Sequence, residues 1–222
     1  MSTKIHTKIA VVESTWWQGR NTSVRGLFDL VADIHCENPH SYHYEMANSE
    51  AALKEIIPRL GRYKKCKYLY LAMHGDENGL HLLNDERLSR AELRNLLKKI
   101  NTEQGSSLKG IYLGSCLFGT DKLAEFILTE DVGINWIAGY SEEVSWIKSS
   151  ALDLLFFNEL VLDDDSSETI RINRAARELL ETAPGLIANL GFGIFTRKRG
   201  GGVKNLLAAA YEERHEKIDE LA

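Results

Sequence analysis

Cysteine is scarce in this chain: three in 222 residues, Cys36, Cys66 and Cys116. An odd, widely spaced set provides no disulfide framework. The sequence is neither Cys-rich nor Pro-rich in the manner of small secreted modules. The N-terminal stretch from Met1 to Lys8 lacks an apolar run of signal-peptide length. No run approaches the roughly 18 apolar residues that a bilayer span requires. Positive charge is not in excess: 27 basic against 32 acidic side chains give a net charge of -5. Nucleic acid, which selects for a basic face, is therefore not expected as a partner. No GxGxxG or P-loop follows the first apolar run, and there is no internal repeat or low-complexity tract. Together these absences point to a cytoplasmic, reducing setting without a membrane anchor, where a thiol can persist.

What the chain does have is a 44% hydrophobic content, enough for a continuous core. Its length suits one domain spanning 1–222, with a core of about 5–162 and a C-terminal helical and strand extension of about 163–222. Strand-like and helix-like segments alternate. Lys8–Val12 is β-branched. Val24, Leu27, Phe28, Val31 and Ile34 recur at helical spacing, with Asn21, Thr22 or Ser23 as N-cap. Tyr42–Ala47 reads as a strand, and Ser49 opens a helix that Pro58 weakens. Gly79–Leu83 reads as a small hairpin, and Ser89 with Glu92 as a capping box. Thr120 or Asp121 caps a helix, Ile134–Ala138 is a strand and Ser149–Leu162 a helix. Beyond lie an acidic turn at Asp163–Ser167, a helix over 168–181, a strand over 190–196, a basic joint over 197–202 and a closing helix over 203–221. The alternation predicts an α/β fold, a mostly parallel sheet with helices on both faces. Ligands bind such sheets outside the carboxyl ends of the strands.

Two of the apolar runs end in reactive side chains. Tyr68-Leu69-Tyr70-Leu71-Ala72-Met73 is followed by His74-Gly75-Asp76. Gly110-Ile111-Tyr112-Leu113-Gly114-Ser115 is followed by Cys116. A lone cysteine or histidine usually only packs, but here both fall at the sheet edge where ligands bind. An imidazole beside a thiol favours the thiolate, takes its proton and returns one to a leaving amine. Gly75 lets the backbone approach closely, and its N–H and that of Cys116 are placed to receive a developing oxyanion. Small residues at Gly114 and Ser115 suggest room for a substrate chain beside the thiol.

The pair of motifs, Leu71-Ala72-Met73-His74-Gly75 and Tyr112-Leu113-Gly114-Ser115-Cys116, resembles the caspase-like clan of cysteine peptidases (clan CD). That clan includes caspases, metacaspases, gingipains, separases and bacterial CHAT proteases, the last being nearest in style. The likeness extends over roughly residues 5–162, a span suited to one domain. It implies a three-layer caspase-like sandwich, a cysteine endopeptidase acting on protein substrates, His74 as acid/base and Cys116 as nucleophile, with Gly75 and Cys116 amides as oxyanion donors. It implies no cofactor or metal. It also suggests an effector switched on by a separate regulatory protein or signal, as in antiviral defence or cell death. One departure is Gly114, two residues before the cysteine, where caspases place Gln and many metacaspases Asp. The caspase preference for Asp is therefore not carried over. Possible substrate-pocket residues are Trp16, Trp17, Arg20, Gly114, Ser115, Glu142, Glu143 and Trp146. Arg20 would suit an acidic side chain; Glu142 and Glu143 would suit a basic one.

Two other readings compete: an inactive caspase-like interaction module, and a flavodoxin-like domain binding a small ligand. Elsewhere, His35, Cys36, His40 and His43 lie close in sequence without a zinc spacing and read as a solvated loop. Arg171, Arg174 and Arg177 form a stripe that reads as a solvated helix face or, more sharply, a docking surface for an acidic partner.

Overall fold

A computed structural model describes residues 6–162 and 166–219, with side chains undescribed at 103, 104 and 213–219. Of the expected acidic turn at Asp163–Ser167, residues 163–165 lie outside the described residues. The chain runs β1 (Ile9–Glu13), α1 (Arg25–Cys36), β2 (His43–Met46), α2 (Glu50–Arg62) and β3 (Tyr68–Ala72). Three short strands follow, β4 (Gly75–Asp76), β5 (Gly79–His81) and β6 (Arg87–Ser89), then α3 (Arg90–Gln104), β7 (Gly110–Gly114) and α4 (Asp121–Leu128). The remainder is β8 (Trp136–Tyr140), α5 (Trp146–Val161), α6 (Glu168–Thr182), α7 (Pro184–Leu190), β9 (Phe192–Arg197), β10 (Val203–Asn205) and α8 (Leu206–Asp219).

The seven-stranded sheet has the order β10-β9-β8-β7-β3-β1-β2. Strands β2, β1, β3, β7 and β8 are parallel, while β9 and β10 turn antiparallel at one edge. The central strands are buried on both faces, so they read as continuous apolar runs. Their side chains alternate between two unlike cores. One face packs aliphatic residues of α2, α3 and α4 against Val12, Leu69, Leu71, Ile111, Leu113 and Ile137. The other gathers aromatics: Tyr68, Tyr70, Tyr112, Trp136 and Tyr140 of the strands meet Phe28 of α1 and Phe156 and Phe157 of α5.

Several local expectations need correction. Residues 203–205 form β10, not the start of the closing helix, and the basic joint is the turn of the β9–β10 hairpin, with Lys198 N–H donating to the Gly202 carbonyl at 3.0 Å. Helix α7 has Pro184 as its first residue, a position where the missing N–H costs nothing. Helix α1 is capped at Val24 without a side-chain bond. Helix α5 starts at Trp146, three residues before Ser149. The Gly79 hairpin is the middle of a three-stranded sheet, β4-β5-β6. The capping box of Ser89 and Glu92 forms as read.

The arginine stripe is not uniformly a solvated face. Arg171 is buried, its guanidinium donating to the Ser166 carbonyl and to the Tyr68 hydroxyl at 3.1 Å. Arg174 donates to the Glu159 carbonyl, and Arg177 is exposed. The His-Cys group disperses as well. His35 meets Asn158, His43 lies beside His6 and Tyr63, and Cys36 is buried.

Candidate active site

Strands β1, β3, β7 and β8 all end at one margin of the sheet, and β3 pairs directly with β7. His74 follows β3 and Cys116 follows β7, so adjacent strands bring imidazole and thiol to the same margin. Both line a cavity of about 240 Å³. The loop after β1 adds Trp16 and Trp17, the loop after β8 adds Val144, and the first residue of α5 adds Trp146.

The imidazole is oriented by main chain. His74 Nε2 lies 2.8 Å from the Trp16 carbonyl oxygen. A carbonyl only accepts, so the neutral ring carries its proton on Nε2 and leaves Nδ1 with the lone pair. Aromatic edges hold the ring in place: its centroid is 5.1 Å from Trp16 and 5.4 Å from Trp17, both near perpendicular. Trp146 closes the group, 4.7 Å from Trp16 and edge-on. Trp16 is itself anchored by Glu13, the buried last residue of β1, which accepts from Trp16 Nε1 at 2.6 Å. Glu13 also accepts from Ser23 Oγ at 2.6 Å, the Val24 N–H at 2.9 Å and the Tyr44 hydroxyl at 2.6 Å.

The sulfur is half-buried and receives the Val144 N–H at 3.4 Å. The N-terminus of α5 reaches the same cavity, where its partial positive charge favours an anion. Imidazole and thiol share the cavity without a direct hydrogen bond. Just past Cys116, Leu117 holds a φ of 61°, a left-handed conformation that costs an L-residue about 1–2 kcal/mol. That turn sends Leu117 and Phe118 into the wall of a second cavity of about 630 Å³, which Arg87, Arg90 and Lys122 also line.

Gly75 has a steric reason as well as a chemical one. A Cβ there would stand 2.8 Å from the Cys116 carbonyl oxygen and 3.0 Å from Ser115 Cβ. Gly114 corrects the simple idea of room for substrate. A Cβ at Gly114 would fall 2.2 Å from the Tyr70 hydroxyl oxygen, so the tyrosine already fills that space. Ser115 is buried, and its Oγ has no hydrogen-bond partner.

At the deep end of the cavity sits Asp153 of α5, fully buried. Its Oδ2 accepts from Tyr70 at 2.6 Å, and its Oδ1 accepts from Tyr112 and Tyr140. Burial nonetheless pushes its carboxyl up to about 6, the three phenols only partly offsetting the loss of water. A carboxylate offers about four acceptor directions, so one on Oδ2 remains open.

The cavity thus gathers His74, Cys116, Gly114, Ser115, Trp16, Trp17 and Trp146. It does not include Arg20, which stacks on the Trp17 ring at 5.8 Å, or Glu142 and Glu143, which are exposed. The Glu142 carbonyl, outside the cavity, accepts from the Leu117 N–H. Sequence reasoning missed Glu13, Val144, Ser149, Ser150 and Asp153. Two of these left a trace: Glu13 is an acid closing an apolar strand, and Asp153 is a lone acid within Ala151-Leu152-Asp153-Leu154-Leu155-Phe156.

No protein-family model and no curated protein matches the chain by sequence. Among solved structures it is similar to a secreted C11 cysteine protease from Bacteroides thetaiotaomicron, determined in complex with an irreversible peptide inhibitor. The TM-score is 0.50 and the identity 10%, over 86% of this chain and 66% of that one. A second structure of a secreted C11 cysteine protease from the same organism, termed iotapain, gives 0.47 and 8%, over 85% and 65%. The chain thus spans just under two thirds of the length of each. The mixed seven-stranded sheet between helical layers is the caspase-like fold.

Proposed function

We propose that the protein is a cysteine endopeptidase working through His74 and Cys116. The observation that carries this reading is the convergence of both side chains on one cavity, with His74 Nε2 committed to the Trp16 carbonyl. That bond leaves His74 Nδ1 as the basic nitrogen. It takes the Cys116 proton as the sulfur attacks the scissile carbonyl carbon. The oxyanion is received by the N–H groups of Gly75 and Cys116. The imidazolium then protonates the leaving amine as the C–N bond breaks, giving a thioester and a new N-terminus. Water, deprotonated by His74, hydrolyses the thioester and returns the thiol. The C11 neighbour, a cysteine protease bound to a peptide inhibitor, lends this reading the support of a shared fold.

The cavity suits a long cationic side chain on the residue preceding the cut. Its walls are the indoles of Trp16, Trp17 and Trp146, good surfaces for a cation, and its floor is the Asp153 carboxyl. Control by a separate partner fits the aromatic closure, because a protein that draws the Trp16–Trp17 loop outward opens the mouth. Cys36, Cys66 and Cys116 form no disulfide among the described residues, in keeping with a reducing compartment.

The test is covalent labelling with a thiol-reactive peptide probe bearing Arg, followed by peptide mapping. Modification of Cys116 that is lost in His74→Ala is the expected result. Equal labelling in both proteins defeats the dyad and leaves an inactive interaction module.

A further inference from the structure

A second cleft, of about 780 Å³, lies at the opposite end of β8 from the dyad. Strand register builds its floor. Trp136 of β8 faces Thr196 of β9, and Thr196 faces Lys204 of β10, so the three side chains share one face of the sheet. The first turns of α6, with Glu168, Thr169 and Asn173, form the facing wall. The β9–β10 turn supplies Lys198 and Arg199 at the rim. Arg197 braces this turn from below, donating to the carbonyls of Leu128 and Glu130. Lys198, Arg199 and Lys204 have no ion pair among the described residues.

Trp136 is fully buried, and its ring is pressed onto Gly110, where a Cβ would fall 1.9 Å from the indole. Its Nε1–H has no hydrogen-bond partner, and neither has Glu168 Oε2. Each buried, unmade bond costs about 1–3 kcal/mol. One orphan only donates and the other only accepts. They belong to the same cleft, beside three free cations. The complement is a ligand with an anionic end and a planar edge offering both an acceptor and an N–H donor.

We infer that this cleft binds a purine nucleoside phosphate, the base edge meeting Trp136 Nε1 and Glu168 Oε2 and the phosphate meeting Lys198, Arg199 and Lys204. The volume lies within the roughly 300–1,000 Å³ usual for small-molecule sites. Both orphan atoms are shielded from water, so the inference requires the first turn of α6 to move outward when the ligand binds. The inference is independent of peptidase activity.

Titration calorimetry of the full chain with AMP, GMP, adenosine, guanosine and inorganic phosphate tests it. One or both nucleotides should bind one to one, at least tenfold tighter than the matching nucleoside and than phosphate. The double variant Lys198→Glu/Arg199→Glu should weaken the nucleotide at least tenfold and spare the nucleoside. Trp136→Phe keeps an aromatic side chain but removes the N–H with the five-membered ring; it should weaken the nucleotide several-fold and leave phosphate unchanged. Should that variant fold poorly by circular dichroism, Glu168→Gln supplies the same readout. No heat from either nucleotide at millimolar concentration overturns the inference. So does equal affinity for nucleotide and phosphate, which marks a bare anion patch, or indifference to the charge reversal.

Discussion

The carbonyl oxygen of Trp16 lies 2.8 Å from Nε2 of His74. A main-chain group thereby fixes which imidazole nitrogen keeps the lone pair, a task that a carboxylate performs in many other sites. The chain that positions this carbonyl traces back to Glu13, through the Trp16 indole.

Glu13→Ala should therefore injure both stability and catalysis. It strands the donors of Trp16, Ser23, Val24 and Tyr44 around a buried hole. The expected loss is about 2–4 kcal/mol in urea unfolding. At a temperature where the variant stays folded, kcat for a peptide substrate should drop by more than tenfold with KM little changed. A fall in stability with full kcat would show that Glu13 does not position the site.

Asp153 makes stability depend on pH. Its folded carboxyl titrates at about 6, against about 3.9 for an unfolded Asp. Between those values the unfolded chain releases a proton that the folded chain keeps. The group's contribution is thus full below about pH 4, declines as pH rises and is lost above about pH 6, a span of about 3 kcal/mol. Asp153→Asn should remove that slope. Urea melts of both proteins at half-unit steps from pH 4 to pH 7 measure the difference.

The same carboxyl gives the peptidase reading its own pH signature. The kcat/KM ratio for Arg over Gln before the cut should rise as pH passes through about 6, because the ionised floor attracts a cation. In Asp153→Asn the ratio should be flat with pH. A wild-type ratio that does not change with pH places the cation away from Asp153.

Gly114→Ala tests whether Tyr70 occupies the space beside the thiol. The new methyl meets the phenol and pushes it off Asp153. Overpacking of this kind costs about 1–3 kcal/mol, or about 2–4 °C of Tm per kcal/mol in a chain of this size. Scanning calorimetry reads the shift. A smaller loss for Gly114→Ala in a Tyr70→Leu background than in the wild type would identify the clash with the ring as the cause.

Ser115→Ala separates binding from folding. The hydroxyl is buried without a partner, so removing it should leave stability unchanged or raise it by up to about 1 kcal/mol. If the substrate supplies the missing partner, KM rises several-fold at constant kcat. An unaltered KM assigns the hydroxyl no part in binding.

Much of the layered fold was legible because the strands are buried on both faces and read as unbroken apolar runs, Tyr68–Ala72 and Gly110–Leu113 among them. The motif residues His74 and Cys116 were legible for the same reason, since each ends such a run. What escaped was set by packing across the sheet. Asp153 meets Tyr70, Tyr112 and Tyr140 from three different strands, a convergence that spacing along the chain does not encode. The role of Gly114 was misjudged because its neighbour in space, Tyr70, is 44 positions away (114 minus 70). Arg171 looked like part of a solvated stripe because helical periodicity does not reveal that the Tyr68 hydroxyl and the Ser166 carbonyl wait for it. Strand β10 is three residues long, too short to announce itself against the helix that follows.

The left-handed kink at Leu117 has a mechanical corollary. Residues 114–116 border one hollow, and 117–118 border another beyond the bend. A polypeptide that used both would have to drape over the sheet's rim as over a ridge pole, slack on either side. Coiled or tightly folded stretches are too thick for that posture. Under the peptidase activity proposed above, extended linkers and tails should be cut first, and unfolding a compact protein should expose it to cuts that its native form resists.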